Sequence, residues 1–251
     1  MKTSPFATLL VGATCAATAF AACSSKSTPE PARASDSGTV SDSSSASDAP
    51  LVCPPAALDE GVPGIYHHAQ PVEPSACTVL LLNDYYTSCL GPQASATTCD
   101  QAWGAGEDTQ HATCQSCILT QSSATKWGAL VDYSLGGDAG EGGIVSVNVA
   151  GCIEILDPSQ LPCAESVQQA DECEHAACDA VCPVNDAASF ANWEACVNAS
   201  ANGECLTYAT SAQCESGEDS GPAAACVTGS DFQDQFMAVA TVFCGGGALQ
   251  D

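Results

Sequence analysis

In a chain of 251 residues, 30 carboxylates face only four lysines and arginines, for a formal net charge of −26. Neutralising phosphate needs clustered basic side chains, so nucleic-acid binding is excluded, and enzymes that grip phosphate or carboxylate substrates through arginine forks or lysines are disfavoured. The ligands left to such a surface are a cation, a basic protein or peptide, or a neutral glycan, and the acidity itself keeps an exported protein soluble.

At the amino terminus, Lys2 precedes an apolar run over residues 6 to 20 that is too short to span a bilayer, which is the pattern of a signal peptide. Two cleavage sites compete: the small-x-small site Ala19-Phe20-Ala21, and the bond before Cys23. Ala21-Ala22-Cys23, with Phe20 where an aliphatic residue is usual, resembles the lipobox of bacterial lipoprotein precursors. The resemblance covers the leader, Cys23 and the tether alone. It implies removal of residues 1 to 22, lipidation of Cys23 and, because Ser24 rather than Asp follows, transfer to the outer membrane. Use of the other site would leave a freely secreted protein. Cysteine parity favours lipidation: of 18 cysteines, Cys15 and Cys23 belong to the leader, and the remaining sixteen form an even set.

Residues 24 to 50 hold ten serines, with Pro31 and Pro50 and almost nothing apolar. Such a segment buries too little surface to offset its ordering entropy, and as a coil it reaches roughly 30 Å from a membrane. Two or three acyl chains, at about 0.8 kcal/mol per buried methylene, anchor a protein stably. The membrane partner is thus reached through the lipid.

From residue 53 onward Lys126 is the one lysine, and there is no arginine. Sixteen cysteines fall in this stretch: Cys53, Cys77, Cys89, Cys99, Cys114, Cys117, Cys152, Cys163, Cys173, Cys178, Cys182, Cys196, Cys205, Cys214, Cys226 and Cys244. That density, at about 8%, is that of a disulfide scaffold in an oxidising compartment. The pairing itself is not readable from spacing.

Taken in chain order, residues 76 to 90 read as a helix. Ala129, Val131, Tyr133 and Leu135 alternate with more polar neighbours, as do Val145, Val147 and Val149, which predicts a β-hairpin over about 128–135 and 144–149 with a glycine-rich loop between. That loop lacks the Gly-Lys-Ser/Thr ending of a phosphate-binding loop. A helix opens near Pro162 and turns Val167, Ala170 and Ala177 inward. Another begins near Asp186 with Phe190, Trp193 and Val197 on one side, and residues 203 to 214 form a further one. The clearest helix covers residues 230 to 244. Ser230 and Gln233 make a capping box, Phe232, Phe236, Val239 and Phe243 line one face, and Gly245-Gly246 ends it. The fold class is therefore mainly α and disulfide-rich, with one hairpin. It divides into a subdomain over 53–157 that carries the hairpin and an all-helical subdomain over 158–251.

Four patterns invite a chemical reading. Cys114-Gln115-Ser116-Cys117 has the spacing of a thiol–disulfide oxidoreductase, but no strand leads into it and structural bridging to other cysteines is the stronger reading. Cys173, His175, Cys178 and Cys182 crowd together, as do His111 and Cys114, yet neither group has the spacing of a zinc knuckle. His67-His68 reads as a loop pair, and Glu215 to Asp219 is acidic without being a calcium loop. Gly217-Glu218-Asp219-Ser220-Gly221-Pro222 looks like the nucleophile segment of chymotrypsin-type proteases, but those are β-barrels. No nucleophile, base, metal or cofactor signature stands out. The sequence thus points to a non-enzymatic binding or envelope-structural lipoprotein, with an extracellular hydrolase built from distant carboxylates as the rival and a metal or redox carrier behind both.

Overall fold

A computed structural model describes residues 53–58, 62–104, 109–133, 144–185, 187–215, 221–229 and 231–245. The leader, Cys23, the tether, the glycine-rich loop, Ser220 and Ser230 lie outside these residues. Among the described residues the chain is mainly helical, and they belong to one compact unit.

The first strand, β1 (His68–Ala69), pairs in parallel with β3 (Lys126–Trp127). Between them α1 (Val79–Tyr85) starts at Thr78, whose side chain accepts from the Leu81 amide, and passes into a π-helical turn at Tyr86–Leu90. Next come α2 (Ala96–Trp103), opened by a Ser95/Thr98 capping box, and α3 (Thr109–Ile118), which runs directly into β2 (Leu119–Gln121). The predicted hairpin is present: β4 (Leu130–Asp132) pairs antiparallel with β5 (Val145–Val147), and β2 adds to β4 in parallel. Leu130, Val131 and Asp132 are all buried, so β4 is covered on both faces instead of alternating between core and solvent.

Val149 does not extend β5. The Asn148 side chain accepts from the Gly151 amide and opens α4 (Val149–Leu156), a helix the sequence reading did not anticipate. Gly151 is required there, because a Cβ would lie 2.9 Å from the Phe243 ring. A 3-10 turn at Pro158–Gln160 leads into α5 (Leu161–Cys178), followed by α6 (Ala187–Ala201) and α7 (Leu206–Ser211), the latter shorter than the predicted 203–214. The last helix, α8 (Phe232–Cys244), is capped by Asp231, which accepts from the Asp234 amide, whereas Ser230 of the predicted capping box lies outside the described residues. A carboxylate at that position satisfies an orphan amide and also meets the positive end of the helix dipole.

Phe232, Phe236, Val239 and Phe243 of α8 are buried in the main core against α1, α3 and α4. A second, smaller core gathers Trp193 and Val184 around Cys173, Cys178, Cys182, Cys196 and Cys205. All sixteen cysteines from residue 53 onward are bridged. The pairs are Cys53–Cys182, Cys77–Cys114, Cys89–Cys99, Cys117–Cys244, Cys152–Cys226, Cys163–Cys214, Cys173–Cys205 and Cys178–Cys196. Three of these, at Cys53, Cys117 and Cys152, join residues before position 157 to residues after it.

Two stability predictions follow from this packing. Replacing Cys152 and Cys226 together by serine releases a loop spanning 74 residues and should lower the free energy of unfolding by about 4 kcal/mol. Phe236→Ala, at a fully buried position, should lower it by about 3–5 kcal/mol. Both are read by denaturant titration under non-reducing conditions, where a loss below about 1 kcal/mol for either would contradict the assigned packing.

Candidate functional site

Helix α5 has two sides. At roughly 3.6 residues per turn, Cys163, Cys173 and Cys178 share one side with Val167 and Ala170, and their bridges tie it to Cys214, Cys205 and Cys196. Gln168, Asp171, Glu172 and His175 fall on the other side, and the helical turn continues to Asp179. There the chain builds a polar and aromatic wall.

Facing this wall are His67, just ahead of β1, Trp127 of β3, and Tyr133 at the end of β4. The His67 ring stacks on Trp127, with centroids 4.5 Å apart and planes within 7°. Its Nδ1 lies 2.7 Å from the Ala124 carbonyl oxygen and so carries the proton that it donates, leaving Nε2 turned toward Glu172 Oε1 at 4.0 Å. Tyr133 stacks on His175 at 3.6 Å and 6°. Edge contact between Trp127 and Tyr133, and ring contacts from His175 through Trp193 to Phe190, make one continuous file of six rings.

Each carboxylate of the wall is held by protein donors. Glu172 accepts from the Gln168 amide at 2.7 Å and from the Gly64 backbone at 3.0 Å. Asp171 accepts from the Tyr133 hydroxyl and from Ser146 Oγ, each at 2.9 Å. Asp179 accepts from Trp193 Nε1 at 2.8 Å and pairs with His175 Nδ1 at 2.9 Å. Between the walls lies an open cleft of about 370 Å³, lined chiefly by His67, Trp127, Tyr133, Glu172, His175 and Asp179.

Charge is finely balanced in this cleft. Burial raises the Glu172 carboxyl above its usual range, and Asp171 adds to this, against lowering by Gln168, His67 and Gly64. For His175 burial pulls the other way, but Asp179, Asp171 and Glu174 outweigh it and favour the imidazolium. Burial and the nearby Asp171 keep the Tyr133 hydroxyl protonated. Glu174, buried beside the cysteine-bearing side of α5, is pushed up by burial first and Asp171 second, to about 8.

A second polar cluster lies on α4. Glu154 accepts from Tyr66 Oη at 3.0 Å and from the Ala69 amide at 2.8 Å, and pairs with His68 Nδ1 at 2.7 Å. Burial opposes its ionisation, but the hydrogen bonds from Ala69, His68 and Tyr66 prevail and hold the carboxyl below its usual range. The His68 side chain is 56% exposed, so this cluster lies at the surface and outside the cleft.

The residues singled out from sequence are dispersed. His67 and His175 meet the same cleft, whereas the neighbouring His68 turns to Glu154. Cys114 and Cys117 are not bonded to each other: they lead to Cys77 and Cys244, so the pair is no dithiol switch. Cys173, Cys178 and Cys182 are likewise disulfide-bonded, and among the described residues no group of three or more His, Cys, Asp or Glu side chains is arranged to hold a metal ion. His111 packs edge-on to Trp103 at 4.6 Å. Trp127, Tyr133, Asp171, Glu172 and Asp179 were not foreseen as site residues. Their one local signal is the helical spacing of Gln168, Asp171, Glu172, His175 and Asp179.

The chain matches no protein-family model, no curated protein and no solved structure. Its chemistry must therefore be read from the cleft itself, which offers negative charge, flat ring surfaces and two imidazoles.

The raised carboxyls set a pH dependence. Glu174 moves from the ordinary 4.5 in the unfolded chain to about 8 in the folded one, so its stability contribution is full below about pH 4.5 and is lost as pH rises toward 8. Glu172 acts in the same direction. Glu174→Gln should flatten the fall in melting temperature between pH 5 and 8, whereas an unchanged slope would contradict the burial of an ionisable carboxyl there.

Proposed function

We propose that this protein is a lipid-anchored extracytoplasmic binding module. In this reading, acylated Cys23 and the serine-rich segment hold the disulfide-stapled helical domain off a membrane surface, the outer membrane in a two-membrane cell, and the cleft between α5 and the β1–β3 edge takes up a small ligand. Eight disulfides place the chain in an oxidising, extracytoplasmic compartment. Among the described residues no helix is long and apolar enough to cross a membrane. The lipobox-like Ala21-Ala22-Cys23 supports the anchor.

The binding reading rests on one observation. A cleft of about 370 Å³, within the range of small-molecule sites, gathers two stacked ring pairs and two carboxylates that a purely structural scaffold does not need. A second reading draws on the same place: Glu172, with its raised carboxyl, and the neighbouring aspartates resemble the acid and base of a glycan hydrolase. Its signature is turnover of a chromogenic glycoside that Glu172→Gln abolishes. Binding without turnover favours the module.

The anchor has its own test. On detergent phase separation the native protein should enter the detergent phase, and Cys23→Ala should move it to the aqueous phase. Recovery of both in the aqueous phase would contradict lipidation.

A further inference from the structure

We infer that the imidazolium of His175 is a proton-operated clip, which holds the β4–β5 sheet against α5 in acid and releases it as pH rises, so that the walls of the cleft part. The inference concerns the rigidity of the cleft and stands whether or not a ligand enters it. Three observations carry it.

The first is the position of the ring. His175 is 4% exposed and meets a carboxylate at each nitrogen: Asp179 Oδ2 lies 2.9 Å from Nδ1, and Asp171 Oδ1 lies 3.8 Å from Nε2. A neutral imidazole carries one N–H, so one of the two carboxylates would then face a lone pair, whereas the imidazolium turns an N–H toward both.

The second is what those carboxylates hold. Asp171 accepts from the Tyr133 hydroxyl, at the end of β4, and from Ser146 of β5, and Asp179 accepts from Trp193 of α6. Tyr133 also lies flat on the imidazole at 3.6 Å. One proton on His175 therefore offsets the repulsion between two carboxylates to which both the sheet and α6 are fastened.

The third is the packing behind the clip. Val131 and Val147 of the sheet and Val167, Gln168 and Asp171 of α5 border a cavity of about 20 Å³. A cavity leaves its lining short of dispersion contacts, so this interface leans on its polar fastening more than on close packing.

The surroundings set the direction. Along α5 and its end the titratable groups around the ring are Asp171, Glu172, Glu174 and Asp179, with Tyr133 from the sheet and His67 across the cleft. Glu194, the charged residue of α6, is exposed, and Asp132 of β4 accepts from Gln121. Burial opposes the imidazolium, but Asp179, Asp171 and Glu174 outweigh it, so folding raises the proton affinity of His175. Its contribution is complete below the ordinary histidine value and is lost as pH rises through the folded one. On deprotonation the shorter contact, to Asp179, keeps the remaining N–H, and the Asp171 side lets go with Tyr133 and Ser146.

The test is nuclear magnetic resonance on isotope-labelled wild-type protein from pH 5 to pH 9. It reads the His175 ring nitrogens and, after correction for the intrinsic pH dependence of exchange, amide protection in β4, β5 and α8. Both nitrogens should carry protons at pH 6. As the ring titrates, the amides of β4 and β5 should lose protection by at least about tenfold, the factor that losing one charge-assisted hydrogen bond supplies, while those of α8 hold theirs. Glu174→Gln should leave this release in place, and His175→Gln should show the low protection at every pH. A neutral His175 at pH 6, protection in β4 and β5 that does not follow its titration, an equal loss in α8, or a release that vanishes in Glu174→Gln would each overturn the clip. The wild-type titration decides the matter even where His175→Gln fails to fold.

Discussion

The structure depends on the covalent pinning of one helix. Helix α5 sends three disulfides from one side into Cys214, Cys205 and Cys196, and on the other carries the carboxylates and the histidine of the cleft. A chain with 30 acidic and four basic side chains has few ion pairs to spend on stability. Bridges of this kind contribute typically 2–4 kcal/mol each, and mostly by restricting the unfolded chain, so their effect does not fade with pH or salt as that of ion pairs does.

That rigidity is what permits the unfavourable electrostatics along the helix. Asp171, Glu172 and Glu174 are consecutive or nearly so, and burial pushes the two glutamates toward the neutral form. In a loosely held helix such groups would swing outward into water, since an unpaired buried charge is costly. Here Gln168, itself 2% exposed, is locked between the His67 amide and Glu172, and Asp171 is locked between Tyr133 and Ser146. The sheet takes part as well. Parallel pairing of β1 with β3 sets His67 beside Trp127, and the β4–β5 pair sets Tyr133 and Ser146 over Asp171.

Legibility in the sequence follows the range of the interactions concerned. Helix α8 was readable because Phe232, Phe236, Val239 and Phe243 recur with helical period, and the hairpin because Val145 and Val147 alternate. Helix α4 was not, since Val149 to Ile153 are buried without a break and so show no period; only Asn148, as its cap, marks the start. The cleft was largely illegible because its walls come from positions near 67, 127 and 133 and from α5, far apart in the chain. Of its members only His67 and His175 drew notice, for being histidines. The polar spacing along α5 was present in the sequence, but it reads as an ordinary solvated face until a partner wall is known.

The most direct test of this account is disulfide mapping by mass spectrometry after non-reducing digestion of the alkylated native protein. The account predicts Cys163 linked to Cys214, Cys173 to Cys205 and Cys178 to Cys196, with no alkylated thiol on α5. A free thiol at any of these positions, or a bridge exchanged among them, would contradict the pinned helix and with it the cleft that the helix supports.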